Sequence, residues 1–201
     1  MKYPDIFMIT AGADEVPINR NELAMRLGVD RSYESGFVDE CWKSLSEVIS
    51  YRCSYIRIPV DLSDENICRF DFADIESVSL YKNLSGCREA FVFAVTAGVG
   101  TDRLLARLKV LSQAEYFVTD ALASAAADSF CAWAAQKMSD GLLCRPRFSP
   151  GYADLSLSVQ APLLARLDAG DLLGIRLGAS FLMTPMKSIT AIMGIKNEKD
   201  N

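Results

Sequence analysis

The stretch Arg145-Pro146-Arg147-Phe148-Ser149-Pro150-Gly151-Tyr152-Ala153-Asp154 gathers residue types suited to holding a small polar ligand. Two prolines stiffen the backbone on either side of Arg147, and Gly151 lets the main chain approach a ligand with no side chain in the way. The Arg147 guanidinium is a planar fork that matches a carboxylate. Tyr152 adds an aromatic face and a hydroxyl. An adenosine-bearing amino acid calls for such parts: main-chain groups for the adenine edge, a ring surface, and a cation for the α-carboxylate. The same residues also suit a surface loop whose arginine pairs with a local acid, and at this point both readings stand.

A second candidate is Val95-Thr96-Ala97-Gly98-Val99-Gly100-Thr101, a strand running into a glycine turn ahead of a helix. Such a turn can cradle a phosphate on helix N-terminal amides. It lacks the third glycine of a dinucleotide fingerprint and the Gly-Lys-Ser/Thr of a P-loop, so a tight structural turn explains it equally well. The chain has no histidine, which removes Ser-His and Cys-His catalysis. Its six cysteines, at 41, 53, 68, 87, 131 and 144, form no C-x-x-C pair. They are expected to be small buried hydrophobes rather than metal ligands.

Composition narrows the partners. The formal net charge is −5, with no Lys/Arg cluster, which argues against nucleic acid and anionic membrane. The N-terminal run Met1-Lys2-Tyr3-Pro4-Asp5 has none of the basic-then-apolar character of a signal peptide, and no apolar run is long enough to span a bilayer. A cytoplasmic location is expected. Half the residues are hydrophobic and mean hydropathy is +0.14, enough for a sizeable core or for an apolar surface turned toward a partner.

The elements that must position these segments can be read from period and punctuation. Asn19 or Asn21 caps a short helix, Glu22 to Leu27, ended by Gly28. A second helix is expected from Ser35 to Tyr51, with an apolar stripe from Phe37 to Ile49 at spacings of three and four. Tyr55–Val60, Cys68–Phe70 and Ile75–Tyr81 read as strands, and Glu89–Thr96 as a buried strand. Thr101 caps a helix to Leu111. A long Ala- and Ser-rich helix spans Glu115 to Met138 and ends at Gly141. After the 146–151 loop, a helix Val159–Leu167 closes at Ala169-Gly170, followed by strands Ile175–Met183 and Ser188–Ile195. The tail from Lys196 to Asn201 is expected to be solvated. The pattern predicts an α+β fold with a mostly antiparallel sheet and flanking helices, one domain over residues 1–201.

Four blocks carry a resemblance to the activation domain of cobalamin-dependent methionine synthase. Arg147-Phe148-Ser149-Pro150-Gly151-Tyr152 resembles that family's Arg-x-Ala-Pro-Gly-Tyr signature. Phe91 to Gly98 is similar to its Phe-Ala-Val-Thr-x-Gly strand and turn. Asp120 to Phe130 resembles its Ala-Leu-Ala-x-x-x-Ala-Glu-x-Phe helix, and Met183 to Ser188 its Met-x-Pro-x-x-Ser turn. The blocks occur in the family's order across residues 88–195, whereas residues 1–87 match loosely. The family's N-terminal acidic ligand has no counterpart that can be placed here. The aromatic pair of its last block is replaced by Ile192 and Met193.

This resemblance implies a C-shaped α+β domain that binds S-adenosylmethionine without a dinucleotide-binding fold. It implies a stand-alone reactivation module acting on cobalamin held by a partner, a methionine synthase chain or another corrinoid protein, with flavodoxin or another protein as electron donor. By the same carry-over, Arg147 holds the methionyl carboxylate, Ser149 and Gly151 give main-chain contacts to the nucleoside, and Tyr152 forms a wall or a hydrogen bond. Asp128 takes the place of a family glutamate facing the ammonium or sulfonium. Without histidine, the Asp-x-His-x-x-Gly cobalt-ligand motif cannot occur in these residues. Two rivals remain in view. One is a non-catalytic corrinoid-protein docking module with a decayed ligand site. The other is an ordinary small-molecule methyltransferase, which would have to use a carboxylate or Tyr as base.

Overall fold

The computed structural model describes residues 5–30, 32 and 35–196. The expected tail beyond Lys196 and residues 1–4 of the N-terminal run lie outside the described residues. In chain order the elements are β1 (Phe7–Ala11), α1 (Arg20–Leu27), α2 (Gly36–Ser46), β2 (Tyr51–Pro59), β3 (Ile67–Arg69), β4 (Asp74–Glu76), α3 (Val78–Leu84), β5 (Cys87–Thr96), α4 (Val99–Leu111) and α5 (Gln113–Ser139). A 3-10 turn (Leu157–Val159), α6 (Gln160–Arg166), α7 (Ala169–Leu173), β6 (Arg176–Leu177), β7 (Met183–Thr184) and β8 (Ser188–Lys196) complete the chain.

The main sheet has the order β1-β2-β5-β8 and is antiparallel throughout. Beside β8 runs the stretch 143–148, which continues the ladder without forming a regular strand. Arg145 N–H donates to Gly194 O at 2.8 Å, Phe148 N–H donates to Ile192 O at 2.8 Å, and Ile192 N–H returns the bond to Phe148 O at 2.8 Å. The sequence motif around Arg147 therefore begins as a sheet edge and leaves it at Ser149.

Both faces of this sheet are covered, which explains the unbroken apolar run in β5. On one face Ile56, Ile58, Val92 and Ile192 pack with Leu80, Leu163 and Leu173 from α3, α6 and α7. On the other, Cys53, Phe93, Val95 and Met193 meet Ala126, Phe130 and Cys131 of α5. Burying a side chain such as Phe130 contributes roughly 1.5–3 kcal/mol. Further round α5, Leu122 and Ala123 join Leu45 of α2 and Leu105 and Leu108 of α4 in another cluster. The helix is thus enclosed on several sides, and its alanines let the sheet and three helices approach it closely.

Several elements differ from the sequence reading. The helix expected to reach Tyr51 stops at Ser46, where Val48 N–H and Ile49 N–H both turn back to Leu45 O and Tyr51 enters β2. Ile75–Tyr81 is a two-part segment: β4, then α3, which Ser77 caps through a bond from Leu80 N–H at 3.1 Å. β3 and β4 form a separate two-stranded ladder. Thr101 does not cap α4, which begins at Val99; its hydroxyl instead donates to Ala97 O at 3.1 Å. Asp140, in a left-handed conformation, ends α5 one residue ahead of the expected Gly141. Ala169-Gly170 opens α7 rather than closing a helix, and Ile175–Met183 splits into the short hairpin β6–β7.

Candidate functional site

Arg147 and Asp128 both bear electrostatically on one buried thiol, that of Cys131. The guanidinium of Arg147, an exposed residue, and the carboxylate of Asp128, almost one turn ahead of Cys131 on α5, act on its sulfur in opposite directions. Burial pushes the Cys131 thiol up to about 11, and the neighbouring guanidinium opposes that rise. Cys131 is therefore a neutral packing group, not a nucleophile. Among the described residues no hydrogen bond or ion pair joins Arg147 to Asp128.

Asp128 has a partner that the sequence reading missed. Its Oδ2 accepts from Arg26 Nη2 at 2.6 Å, and the same nitrogen lies 2.8 Å from Glu22 Oε1. Asn19 N–H donates to Ser129 Oγ at 3.0 Å, tying the start of α1 to the adjacent position of α5. Higher on the helix, Lys187 Nζ reaches Asp120 Oδ1 and Ser124 Oγ, each at 2.8 Å. Asp120, Ser124 and Asp128 recur every four residues, so they share one flank of α5, and the chain brings cations to it from α1 and from the turn before β8. That spacing was visible in the sequence. The identity of the cations was not.

Ser149, Gly151 and Tyr152 form one tight turn. Tyr152 N–H donates to Ser149 O at 3.2 Å, and Gly151 N–H donates to Leu155 O at 2.8 Å. Gly151 sits at φ 91°, and a Cβ there would lie 2.9 Å from Leu157 Cδ2. Its amide is thus committed within the turn, leaving its carbonyl for any outside contact. Tyr152 is 69% exposed, with its ring at the surface. Among the described residues no hydrogen bond or ion pair links Tyr152 to Asp128; main-chain bonds tie Tyr152 to Ser149 and Gly151 to Leu155 in one turn, while Asp128 pairs with Arg26.

The Gly98–Gly100 turn serves packing. A Cβ on Gly98 would lie 3.0 Å from Ser50 Cβ, and one on Gly100 only 2.4 Å from Val48 O. Ala97 N–H donates to Lys187 O at 2.9 Å, and Ser188 Oγ donates to Thr96 Oγ1 at the same distance, so two of the family-like blocks abut here. A cavity of about 580 Å³ opens elsewhere, between α1, α2 and residues 13–18, with Trp42 and Leu122 in its wall. Among the described residues no group of three His, Cys, Asp or Glu side chains could hold a metal ion, and no helix is long and apolar enough to cross a membrane.

A solved structure described as the MetH reactivation domain bound to AdoHcy has the same fold. The TM-score is 0.71 and the sequence identity 14%, over 98% of this chain and 80% of that chain. The chain accordingly has a reactivation-domain fold, the α+β antiparallel architecture that the four sequence blocks imply. No protein-family model and no curated protein matches the sequence.

Proposed function

We propose that this protein is an S-adenosylmethionine-binding reactivation module. It would support reductive methylation of cob(II)alamin carried by a separate methionine synthase or other corrinoid protein, with flavodoxin or another electron donor. What supports the reading is a fold shared, over nearly the whole chain, with a reactivation domain bound to AdoHcy.

In this reading the Arg147 guanidinium holds the ligand's carboxylate, and Asp128 faces the ammonium or sulfonium. The exposed Tyr152 ring walls the nucleoside, and the turn at Ser149 and Gly151 meets it through main-chain oxygen, since the Gly151 amide is engaged. When bound, the sulfonium supplies an electrophilic methyl group and the partner's corrinoid the nucleophile, so this chain's task is positioning. That division asks for no acid–base residue here and suits a sequence without histidine. A cytoplasmic setting belongs to the same proposal.

Isothermal calorimetry with S-adenosylmethionine tests it. Saturable heat in the wild type, lost in Arg147→Ala, is the expected result; no heat and no thermal shift at millimolar ligand overturns the binding claim. The rival docking module draws on the engagement of Asp128 by Arg26 and of the Gly151 amide by Leu155. Capture of a corrinoid-loaded methionine synthase that is indifferent to ligand favours the rival.

A further inference from the structure

We propose that Arg26 sets which S-adenosyl ligand is preferred, by acting as a built-in counter-ion on the Asp128 carboxylate that a sulfonium ligand would need. The inference rests on the reading above and extends it to a residue outside the four family-like blocks.

The argument starts from occupancy of the carboxylate. Asp128 Oδ2 is 2.6 Å from Arg26 Nη2, so its charge is already balanced from within the chain. The pair is reachable rather than sealed, with side chains 34% and 42% exposed. Arg26 also has a second acceptor: the same nitrogen is 2.8 Å from Glu22 Oε1, one turn back on α1. A ligand cation that takes Asp128 thus leaves Arg26 with Glu22, and the exchange swaps one ion pair for another. Helix α1 is held beside Asp128 by the bond from Asn19 N–H to Ser129 Oγ, so Arg26 is presented to the carboxylate by the fold.

Charge then decides between ligands. Arg26, Glu22 and Asp128 together carry one net negative charge, and removing Arg26 makes it two. S-adenosylmethionine carries a carboxylate, an ammonium and a sulfonium, hence one net positive charge. The corresponding thioether, S-adenosylhomocysteine, is neutral overall. Arg26 therefore disfavours the sulfonium relative to the thioether, and its removal leaves Asp128 free to favour the cation. At an exposed pair the effect is modest, about three- to tenfold in the ratio of affinities, and it weakens as salt screens the charges.

The experiment is a set of calorimetric titrations of wild type, Arg26→Gln and Glu22→Gln with both ligands, at low and high salt. Arg26→Gln is expected to raise the preference for S-adenosylmethionine about three- to tenfold at low salt, and less at high salt. Glu22→Gln removes the alternative acceptor and is expected to move the preference the other way, which keeps the test decisive should Arg26→Gln fold poorly. An unchanged preference in whichever variants fold overturns the role of Arg26 while leaving the ligand reading intact. Absence of binding by wild type and variants alike overturns both.

Discussion

Asp154 and Ser77, 77 residues apart in the chain, are joined by a 2.9 Å bond from the Ser77 hydroxyl to the Asp154 carboxylate. The same carboxylate accepts from Val78 N–H at 2.6 Å and Ser79 N–H at 3.2 Å. The first turn of α3 is thereby capped from the Pro-Gly-Tyr segment, and that segment is anchored just beyond Tyr152. Bonding to Ser79, ahead of the other donors, lowers the Asp154 pKa from 3.8 to about 2. A depressed carboxylate contributes stability that is complete above its unfolded value and is lost as pH falls through its folded one. Asp154→Asn should therefore lower the urea midpoint at pH 6 and narrow the gap between pH 6 and pH 2. A gap as wide in the variant as in the wild type counts against the cap.

That cap also shows why part of the fold could not be read from sequence. Ile75–Tyr81 is rich in strand formers, and the acid that makes half of it helical lies far along the chain. Elements whose cause is local were legible: Asn19 and Gly28 bracket α1, and the apolar run of β5 is what a central strand covered on both faces requires. The end of α2 was not, because residues 48–51 obey contacts outside the helix rather than their own helical period: Ser50 N–H donates to Ala97 O, and Tyr51 opens β2 opposite Ala11 of β1. For the site, the family-like blocks pointed to Arg147 and Asp128. Arg26 stayed hidden because its spacing from Glu22 reads as an ordinary helix-surface pair.

Gly100 gives a test of packing against propensity. In a helix, alanine is normally favoured over glycine by about 1 kcal/mol. At Gly100 the added Cβ would lie 2.4 Å from the Val48 carbonyl oxygen, so α4 or the 46–50 turn must shift. Gly100→Ala is expected to cost about 1–3 kcal/mol by urea unfolding. Gly170, in α7, is the control, with its nearest atom, Ile175 O, at 3.9 Å; Gly170→Ala should be neutral or mildly stabilising. Equal effects at the two sites would refute the steric account.

Arg166 is 5% exposed, and two carboxylates meet it: Asp71 on Nε at 2.8 Å and Asp5 on Nη2 at 2.7 Å. It holds the chain ahead of β1 to α6 and to the loop after β3. Both acids are roughly half exposed, so removal of the cation leaves them hydrated rather than stranded. Arg166→Met should cost about 1–3 kcal/mol, below the usual cost of breaking a fully buried pair. Arg166→Lys should recover only part, because an ammonium cannot span both acids as the fork does. Denaturant titration of the three proteins gives the ranking, and full rescue by lysine would contradict it.

If Arg147 grips a carboxylate through its fork, charge alone will not replace it. Arg147→Lys keeps the charge but loses the paired donors, and should weaken S-adenosylmethionine binding about tenfold, with Arg147→Ala weaker still. Arg147 is exposed, so neither substitution should disturb folding, and thermal melts will verify that. Calorimetry of the three proteins gives the ranking, and binding by Arg147→Lys equal to that of the wild type would contradict the fork.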